Sequence, residues 1–215
     1  PEAFFMGQLW LKFDSHYIIT RGLTLYTTIG ISLYDNFEFN NPSESKLPHV
    51  RSDIQSYMEE GKSNIARMKF DYLWSPADNW YARLDLGLIE EMFGGIGGEV
   101  LYRPYNSKFA LGLVAHKVKQ RAFDQRFSFR DYETDTGHLE LYYDFPDGVT
   151  SQVLIGKYLA GDKGLTLDFS KRFKTGFRLG VFATKTNISA QEFGEGSFDK
   201  GFYFQIPTDI FLSNY

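Results

Sequence analysis

The stretch Trp80-Tyr81-Ala82-Arg83-Leu84-Asp85-Leu86-Gly87-Leu88 alternates between apolar side chains and other residues. Successive side chains of an extended strand point to opposite faces. The tryptophan, the alanine and the three leucines therefore share one face, while Tyr81, Arg83 and Asp85 share the other. The stretch predicts a β-strand with one apolar face and one polar face.

The same two-residue period recurs along most of the chain. It is clear in residues 65–74, 137–145 and 177–183. Its phase changes at clusters of Gly, Pro, Asn and Asp, as expected where turns join antiparallel strands. We predict an all-β chain with candidate strands at 4–13, 17–34, 63–74, 80–92, 98–104, 108–119, 137–145, 149–158, 164–173, 177–187 and 201–206.

The predicted connections alternate in length along the chain. Short turns are predicted at 14–16, 75–79, 105–107, 146–148 and 174–176. Longer or glycine-rich connections are predicted at 35–62, 93–97, 120–136, 159–163 and 188–200. Outer-membrane barrels have short turns at one rim and longer loops at the other, whereas a Greek-key sandwich gives no reason for this asymmetry. The pattern therefore predicts an antiparallel up-and-down β-barrel of the outer-membrane type, with about 10–12 strands.

Composition excludes several other classes of protein. The chain has no cysteine, which removes disulfide scaffolds, thiolate metal sites and cysteine nucleophiles. Its formal net charge of −4 argues against a nucleic-acid-binding protein held by phosphate contacts. No stretch approaches the roughly 18 apolar residues of a membrane-spanning helix, so a role in the membrane would use strands.

Aromatic residues make up 18% of the chain, and many of them flank the predicted short turns. These are Phe13 and Tyr17, Trp74 and Trp80, Tyr102, Tyr105 and Phe109, Tyr143 and Phe145, and Phe173 and Phe177. Aromatic rings favour the headgroup level of a bilayer, although they also suit any strand end beside a turn. Together with the loop asymmetry, the clusters favour an aromatic girdle at one membrane interface.

The direction of the first predicted strand bears on domain organisation. If the short turns are periplasmic, strand 4–13 runs from the outside inwards, which is not how a complete bacterial barrel begins. We therefore expect residues 1–215 to form a single β-barrel domain that is a segment of a longer chain.

The polar face of the predicted strands carries almost balanced charge. Its five basic and six acidic side chains and one histidine are Arg67, Lys69, Asp71, Arg83, Asp85, Glu99, Arg103, His138, Glu140, Asp144, Asp168 and Arg178. Balanced charge favours ion pairs between neighbouring strands over a pore selective for ions of one sign. Two interpretations remain open: a self-paired interior that stabilises the barrel, and a lining that binds a hydroxyl-rich polymer.

Patterns that would indicate catalysis or metal binding are weak. Asp131, Glu133 and Asp135 alternate onto one side of a predicted loop near His138, an arrangement that could hold a divalent cation. The glycine run at 94–98 lacks the lysine and the helix of a phosphate loop, and we predict a tight reversal there. We expect no enzyme activity, metal or cofactor. The alternative is an outer-membrane enzyme that modifies a polymer with Asp131, Glu133 and His138.

A single short helix is predicted near residues 52–60. Ser52 suits the N-cap, Ile54, Tyr57 and Met58 share one face, and Gly61 suits the end. A helix of about two turns is stable only if its apolar face docks on the protein. It could fold over the barrel mouth as a partial lid, or pack on a loop for local order.

Several unusual strings resemble the YjbH-type outer-membrane proteins of exopolysaccharide and group 4 capsule operons. They are VRSDI (50–54), EEMFGGIGGEVLYRP (90–104), FDQ (123–125), FRDY (129–132), GH (137–138), YLAGD (158–162) and FGEGSFDKG (193–201). The resemblance covers roughly residues 48–212. It implies an outer-membrane β-barrel protein that takes part in making or secreting an extracellular polysaccharide, and it implies no catalytic residue.

We therefore expect a non-enzymatic barrel segment in the cell outer membrane that guides a polysaccharide along its polar lumen. Its partners would be outer-membrane lipid, the polysaccharide and other exopolysaccharide-export proteins, with no nucleic acid. Tyr81 and Tyr203 would stack on sugar rings. The polar partners would be Arg67, Lys69, Asp71, Arg83, Asp85, Glu99, Arg103 and Glu140. A soluble periplasmic carbohydrate-binding β-sandwich is a further alternative.

Overall fold

The computed structural model describes residues 8–36, 53–189 and 198–207. They contain eleven strands, one α-helix and one 3₁₀ turn, Pro146–Gly148. The strands are β1 (Gln8–Thr20), β2 (Leu23–Asp35), β3 (Ser63–Ala77), β4 (Trp80–Leu88), β5 (Phe93–Tyr102), β6 (Phe109–Arg121), β7 (Phe129–Asp144), β8 (Val149–Lys157), β9 (Lys163–Arg172), β10 (Arg178–Thr186) and β11 (Asp199–Gln205). The helix, α1, is Ile54–Glu60.

All eleven strands belong to one antiparallel sheet, and their order in the sheet is their order in the chain. The predicted all-β, up-and-down topology is confirmed. A sandwich would need two packed sheets, and the described strands form one. Within the described residues β1 and β11 are the sheet's two edges and do not pair with each other, so the sheet is open.

The first turn differs from the prediction. Residues 14–16 lie inside β1, and the chain reverses at Arg21 and Gly22, where Gly22 has a φ of +85°. Asp14 and His16 pair in register with Thr28 and Tyr26 of β2. The polar residues at 14–16 that suggested a turn therefore belong to a continuous strand. Phe13 and Tyr17 do not flank a turn.

The glycine run was also assigned wrongly. Residues 94–98 lie within β5, and none of their glycines has a positive φ. On the polar face, a Cβ at Gly97 would overlap the ring of His116, and one at Gly95 would overlap the backbone carbonyl of Lys117. These glycines allow β6 to approach closely, and the reversal before them is the short connection 89–92.

The two rims of the sheet differ in their connections, although less evenly than predicted. Long segments join β2 to β3 and β10 to β11, and residues 122–128 join β6 to β7. The connection 89–92 is as short as the turns at the other rim. We call the rim that carries α1 the long-loop rim and the opposite one the short-turn rim. None of the described residues forms a helix with the length and apolarity needed to cross a bilayer.

Burial in the sheet is the reverse of that in a soluble protein. Leu84 and Leu86 are 52% and 54% exposed, whereas Asp85 between them is 2% exposed. The same contrast recurs on β3, where Phe70 and Tyr72 are exposed and Asp71 is buried. The two carboxylates are covered by neighbouring side chains of the polar face: Lys69 contacts Asp71, and Arg83 and His116 contact Asp85.

Aromatic rings line the apolar face near the short-turn rim. Trp80 contacts Tyr102 with ring centroids 4.8 Å apart, and Phe109 contacts Tyr143 at 4.5 Å. Further pairs there are Tyr72 with Trp74, Tyr143 with Phe145, and Phe173 with Phe177. The predicted clustering of aromatics beside the turns is thus confirmed for four of the five turns, the exception being the misplaced first one.

Candidate functional site

The polar face of the eleven strands, together with Arg103 directly after β5, is called the polar wall here, and it contains all ten side chains predicted to contact a polymer. Antiparallel partners point to the same face, and Arg83 pairs in register with Glu99. Their side chains form an ion pair, with Arg83 Nη2 3.0 Å from Glu99 Oε2. The predicted pairing of wall charges between neighbouring strands is present at this position.

Asp85 is the most buried carboxylate of the polar wall. His116 Nε2 lies 3.1 Å from its Oδ1, and Arg83 Nε lies 4.0 Å from the same oxygen. The His116 ring lies over Gly97, which leaves room for it. Asp85 therefore joins β4 to β6 across β5 and is held within the wall, where it is 2% exposed.

Ion pairs and hydrogen bonds also occupy the wall residues of β1 to β3. Lys69 Nζ lies 2.9 Å from Asp71 Oδ1. Thr28 Oγ1 donates to Asp14 Oδ1 at 2.6 Å and accepts a hydrogen bond from Arg67 Nη2 at 3.4 Å. These partners neutralise charge within the wall, which supports the self-paired interpretation for this part of it.

Towards β11 the wall is built from hydroxyl, amide and ring groups. Gln152 Nε2 donates to the Tyr142 hydroxyl at 3.0 Å, and that hydroxyl donates to the Glu140 carboxylate. The Tyr203 hydroxyl donates to Asp168 Oδ1 at 3.0 Å. The hydroxyls of Tyr158, Thr166 and Thr184 form a further chain, with oxygens 2.7 and 2.8 Å apart.

The predicted site residues fall into separate groups and do not form one cluster. Arg83, Asp85 and Glu99 are in contact, and Arg103 is paired with Asp144 at 2.9 Å near the short-turn rim. Tyr81, on β4, is 51% exposed and separate from Tyr203 on β11. Whether these side chains bind sugar stays a prediction.

Sequence reasoning missed Arg121, the last residue of β6. Its side chain is 0% exposed and donates to six backbone carbonyl oxygens at 2.5 to 3.3 Å. The acceptors are Ile65, Ala66, Glu90, Glu91, Gln125 and Arg126. The two Nη atoms carry four N–H groups, so several of these bonds are shared. Arg121 thereby ties β3 to the 89–92 and 122–128 connections.

Helix α1 docks beside Arg121 at the long-loop rim. The Tyr57 hydroxyl donates to the backbone oxygen of Arg121 at 2.6 Å, and Gln120 Nε2 donates to Asp53 Oδ2 at 3.1 Å. The Tyr57 ring meets Phe123 edge to face, with centroids 5.0 Å apart. Burial raises the pKa of Tyr57 to about 12. The helix ends at Gly61, as predicted, but its N-cap is Asp53 and not the predicted Ser52, which lies outside the described residues.

The apolar side of this dock is a small core of ordinary type. Its buried members are Tyr57, Met92, Phe93 and Val118, with Ile89, Phe123, Tyr132, Leu159 and Ala160 packed against them. By register, Phe93, Val118 and Tyr132 lie on the polar face of their strands. We call α1, Arg121, the 89–92 and 122–128 connections and this core the cap. In the sequence, the cap is indicated by apolar residues at strand positions on the polar face, where polar residues are expected.

The residues of the candidate cation site and of the enzyme alternative do not converge. Asp131, Glu133 and Asp135 lie within β7 and not in a loop, and His138, an even-numbered residue of that strand, points to the opposite face. Glu133 instead pairs with Lys117 at 2.9 Å on the apolar face. Within the described ranges no group of three or more histidine or carboxylate side chains is arranged to hold a metal ion.

Comparison with known proteins agrees with the resemblance found in the sequence. A family described as exopolysaccharide biosynthesis protein YbjH matches residues 1–214, a longer stretch than the strings alone indicated. The chain is 39% identical over 227 aligned residues to a protein of Escherichia coli (strain K12) named uncharacterized lipoprotein YjbH. The alignment covers 99% of this chain and 32% of that relative, so the chain spans about a third of the relative's length. The chain therefore belongs to the YjbH family of exopolysaccharide biosynthesis proteins.

Proposed function

We propose that this chain forms the wall of an outer-membrane β-barrel whose polar face guides an exopolysaccharide during export. The reversed burial of the sheet carries this proposal, since Asp71 and Asp85 are buried while Leu84 and Leu86 are exposed. A soluble sheet covers its apolar face with a second layer. A wall with lipid on one side and a hydrated interior on the other suits the arrangement found here.

The dimensions of the apolar face support contact with lipid. Along β4 it extends from Trp80 to Leu88, about 26 Å at roughly 3.3 Å per residue. A strand tilted by about 40° would then cross about 20 Å, close to the apolar band of outer-membrane barrels. The aromatic pairs lie at one end of this band, and the Lys117–Glu133 ion pair lies at the other.

The open edges indicate how such a barrel would close. A sheet edge cannot remain unpaired in lipid. Because β1 and β11 are the first and the eleventh strand of an up-and-down sheet, they run in the same direction. Antiparallel closure therefore needs an odd number of additional strands, and we propose that the rest of the full-length protein supplies them.

The relative and the family description support the location and the cargo. The Escherichia coli relative is named a lipoprotein, which supports the cell envelope as the location of this chain, and we propose the outer membrane specifically. The family description refers to exopolysaccharide biosynthesis, so we propose a polysaccharide as cargo and other export proteins as partners. We assign the wall no catalytic step and no cofactor.

Membrane fractionation of cells that produce the full-length protein tests the location. We expect the protein in the outer-membrane fraction, resistant to alkaline carbonate and released by detergent. Recovery in the soluble periplasmic fraction, or release by carbonate, would exclude a lipid-embedded wall.

Polymer export from cells that lack the gene and carry a variant tests the guiding role. Replacing Arg83 and Arg103 by glutamine removes two cations from the polar wall, and we expect export to fall several-fold. The matched control, Lys117→Gln, removes a cation from the apolar face near the rim and should leave export unchanged. Normal export by a wall variant that still reaches the outer membrane would contradict the assignment of these residues.

A further inference from the structure

Two arginines on the polar wall stand apart from its ion pairs. Arg172 of β9 and Arg178 of β10 are direct partners in register, so their side chains share the polar face near the short-turn rim. Within the described residues neither has a carboxylate at ion-pairing distance, in contrast to Arg83 and Arg103. Like charges opposite one another destabilise a sheet. The pair therefore carries a local cost that a bound anion would remove.

The two arginines line a polar cavity of about 460 Å³. Its other lining groups include Thr150, Ser170 and Gln205, all from the wall side of β8, β9 and β11. Arg178 Nη2 donates to Ser170 Oγ at 2.8 Å, and its Nε donates to the same oxygen at 3.1 Å. That bond holds one guanidinium in position while leaving N–H groups for a ligand.

The aromatic ring of Tyr203 lies near Arg178 on the polar face. Tyr203 lies against Gly180, where any Cβ would overlap the ring, and its hydroxyl donates to Asp168. The Arg178 guanidinium carbon lies 5.8 Å from the centre of the same ring. On the next register pair, Phe182 lies over Gly201, where a Cβ would be 2.8 Å from a ring carbon. Two glycines thus keep two rings close to the wall.

We propose that this cavity is a subsite for a carboxylate-bearing sugar, such as a uronic acid unit of the polymer. Guanidinium groups bind a carboxylate through paired N–H donors, and an aromatic ring packs against the C–H face of a sugar. Hydroxyl and amide side chains at the cavity supply partners for the sugar hydroxyls. This inference rests on the proposed function and extends it by naming the chemical class of the cargo as an acidic polysaccharide.

Binding to the purified full-length protein in detergent tests the subsite, with trigalacturonate as the acidic probe and maltotriose as a neutral probe of equal length. We expect trigalacturonate to bind at least tenfold more tightly than maltotriose and to weaken as salt is raised. Replacing Arg172 and Arg178 together by glutamine should weaken trigalacturonate binding at least tenfold. Equal binding of both sugars, or undiminished binding by the double variant, would overturn the proposal.

Matched variants separate the subsite from general charge and from misfolding. Lys171→Gln with Lys174→Gln removes two cations from the same turn region, but Lys171 lies on the apolar face, so binding should be retained. Tyr203→Phe keeps the ring and should bind almost normally, whereas Tyr203→Ala should lose several-fold. Equal losses in the lysine and the arginine variants would overturn the proposal, because they would indicate a diffuse charge effect.

Export by the same variants distinguishes failure of the subsite from failure of the proposed function. If deletion of the whole gene leaves polymer export intact, the proposed function fails whatever the sugars bind. If deletion abolishes export while the arginine double variant exports normally and binds trigalacturonate as well as the native protein, only the subsite fails.

Discussion

The cap and the polar wall differ in which residues they bury: the cap buries apolar side chains, and the wall buries polar ones. In the cap, Tyr57 and Phe93 are each 1% exposed and form an ordinary apolar core. In the wall, polar groups such as Asp85 are buried and large apolar side chains face outwards. The hydrophobic effect in water stabilises the first arrangement, whereas the lipid-facing wall that we propose would have an apolar environment around its exposed face. The difference implies that cap and wall respond independently to mutation and to their surroundings.

Removing Arg121 should have the largest effect on this contrast. Arg121→Met leaves six backbone carbonyls without their buried donor, and we expect the cap to lose about 3–5 kcal/mol. Hydrogen exchange of the full-length protein should show faster exchange around Tyr57 and Phe123 and unchanged protection in β9 and β10. Arg126→Met, in the same connection but exposed, is the control. Equal loss of protection in the distant strands would show that cap and wall are one cooperative unit.

A charge on the apolar face tests the wall side of the comparison. Leu84→Arg should cost about 2–4 kcal/mol in phospholipid vesicles, because a cation at mid-strand would face lipid. On a water-exposed surface the same change is expected to stay within about 0.5 kcal/mol. Urea unfolding of the full-length protein in vesicles measures the cost, with Leu84→Val as a control that keeps the face apolar. A cost near that of the control would indicate that this face is not in contact with lipid.

The fold was largely predictable because apolar and polar residues alternate along most of the chain despite local deviations. This alternation assigned Leu84 and Asp85 to opposite faces without any knowledge of the neighbouring strands. The wrong predictions from this pattern have a common cause: polar and glycine residues on the polar face of a strand are of the same types as turn residues. Asp14 and His16 read as a turn but belong to β1, and Gly97 reads as a reversal but makes room for the ring of His116.

The cap was only partly predictable. The short helix and its end at Gly61 follow from local sequence, and Tyr57 was assigned correctly to the docking face. Arg121 gave no signal, because its acceptors are backbone carbonyls from segments far apart in the chain, and a carbonyl has no sequence signature. The pairing of wall charges was predictable in kind from their balance, but not which residues pair.

The hub of the wall, Asp85, should give an intermediate effect. Asp85→Ala leaves His116 and Arg83 without their shared acceptor, and we expect a loss of about 2 kcal/mol. Asp85→Asn keeps an oxygen acceptor and should recover part of that loss. Unfolding in vesicles measures the global loss, while hydrogen exchange around Tyr57 should remain unchanged if cap and wall are independent. A loss of protection at Tyr57 equal to that in β4 would contradict this independence.

The smallest effect is expected at the Tyr57 hydroxyl, which donates to the backbone oxygen of Arg121. Tyr57→Phe keeps the ring against Phe123 and removes one buried hydrogen bond, so the cap should lose about 1 kcal/mol near neutral pH. The chain has no cysteine, so Val118→Cys, buried in the cap, can report cap opening by its rate of maleimide labelling, with exposed Thr175→Cys as the reference site.

The pH dependence of the same variant gives a second measurement. The folded-state pKa of Tyr57 is about 12, against 10.0 for a free tyrosine, so its stabilisation is complete below pH 10 and is lost as the pH rises towards 12. Urea unfolding of the cap should therefore show a decline in stability over this range that is smaller in Tyr57→Phe. If the Tyr57 hydroxyl were already in contact with solvent, the stability of the native protein and of the variant would decline equally with pH. The cap would then be more open than its packing around Arg121 implies.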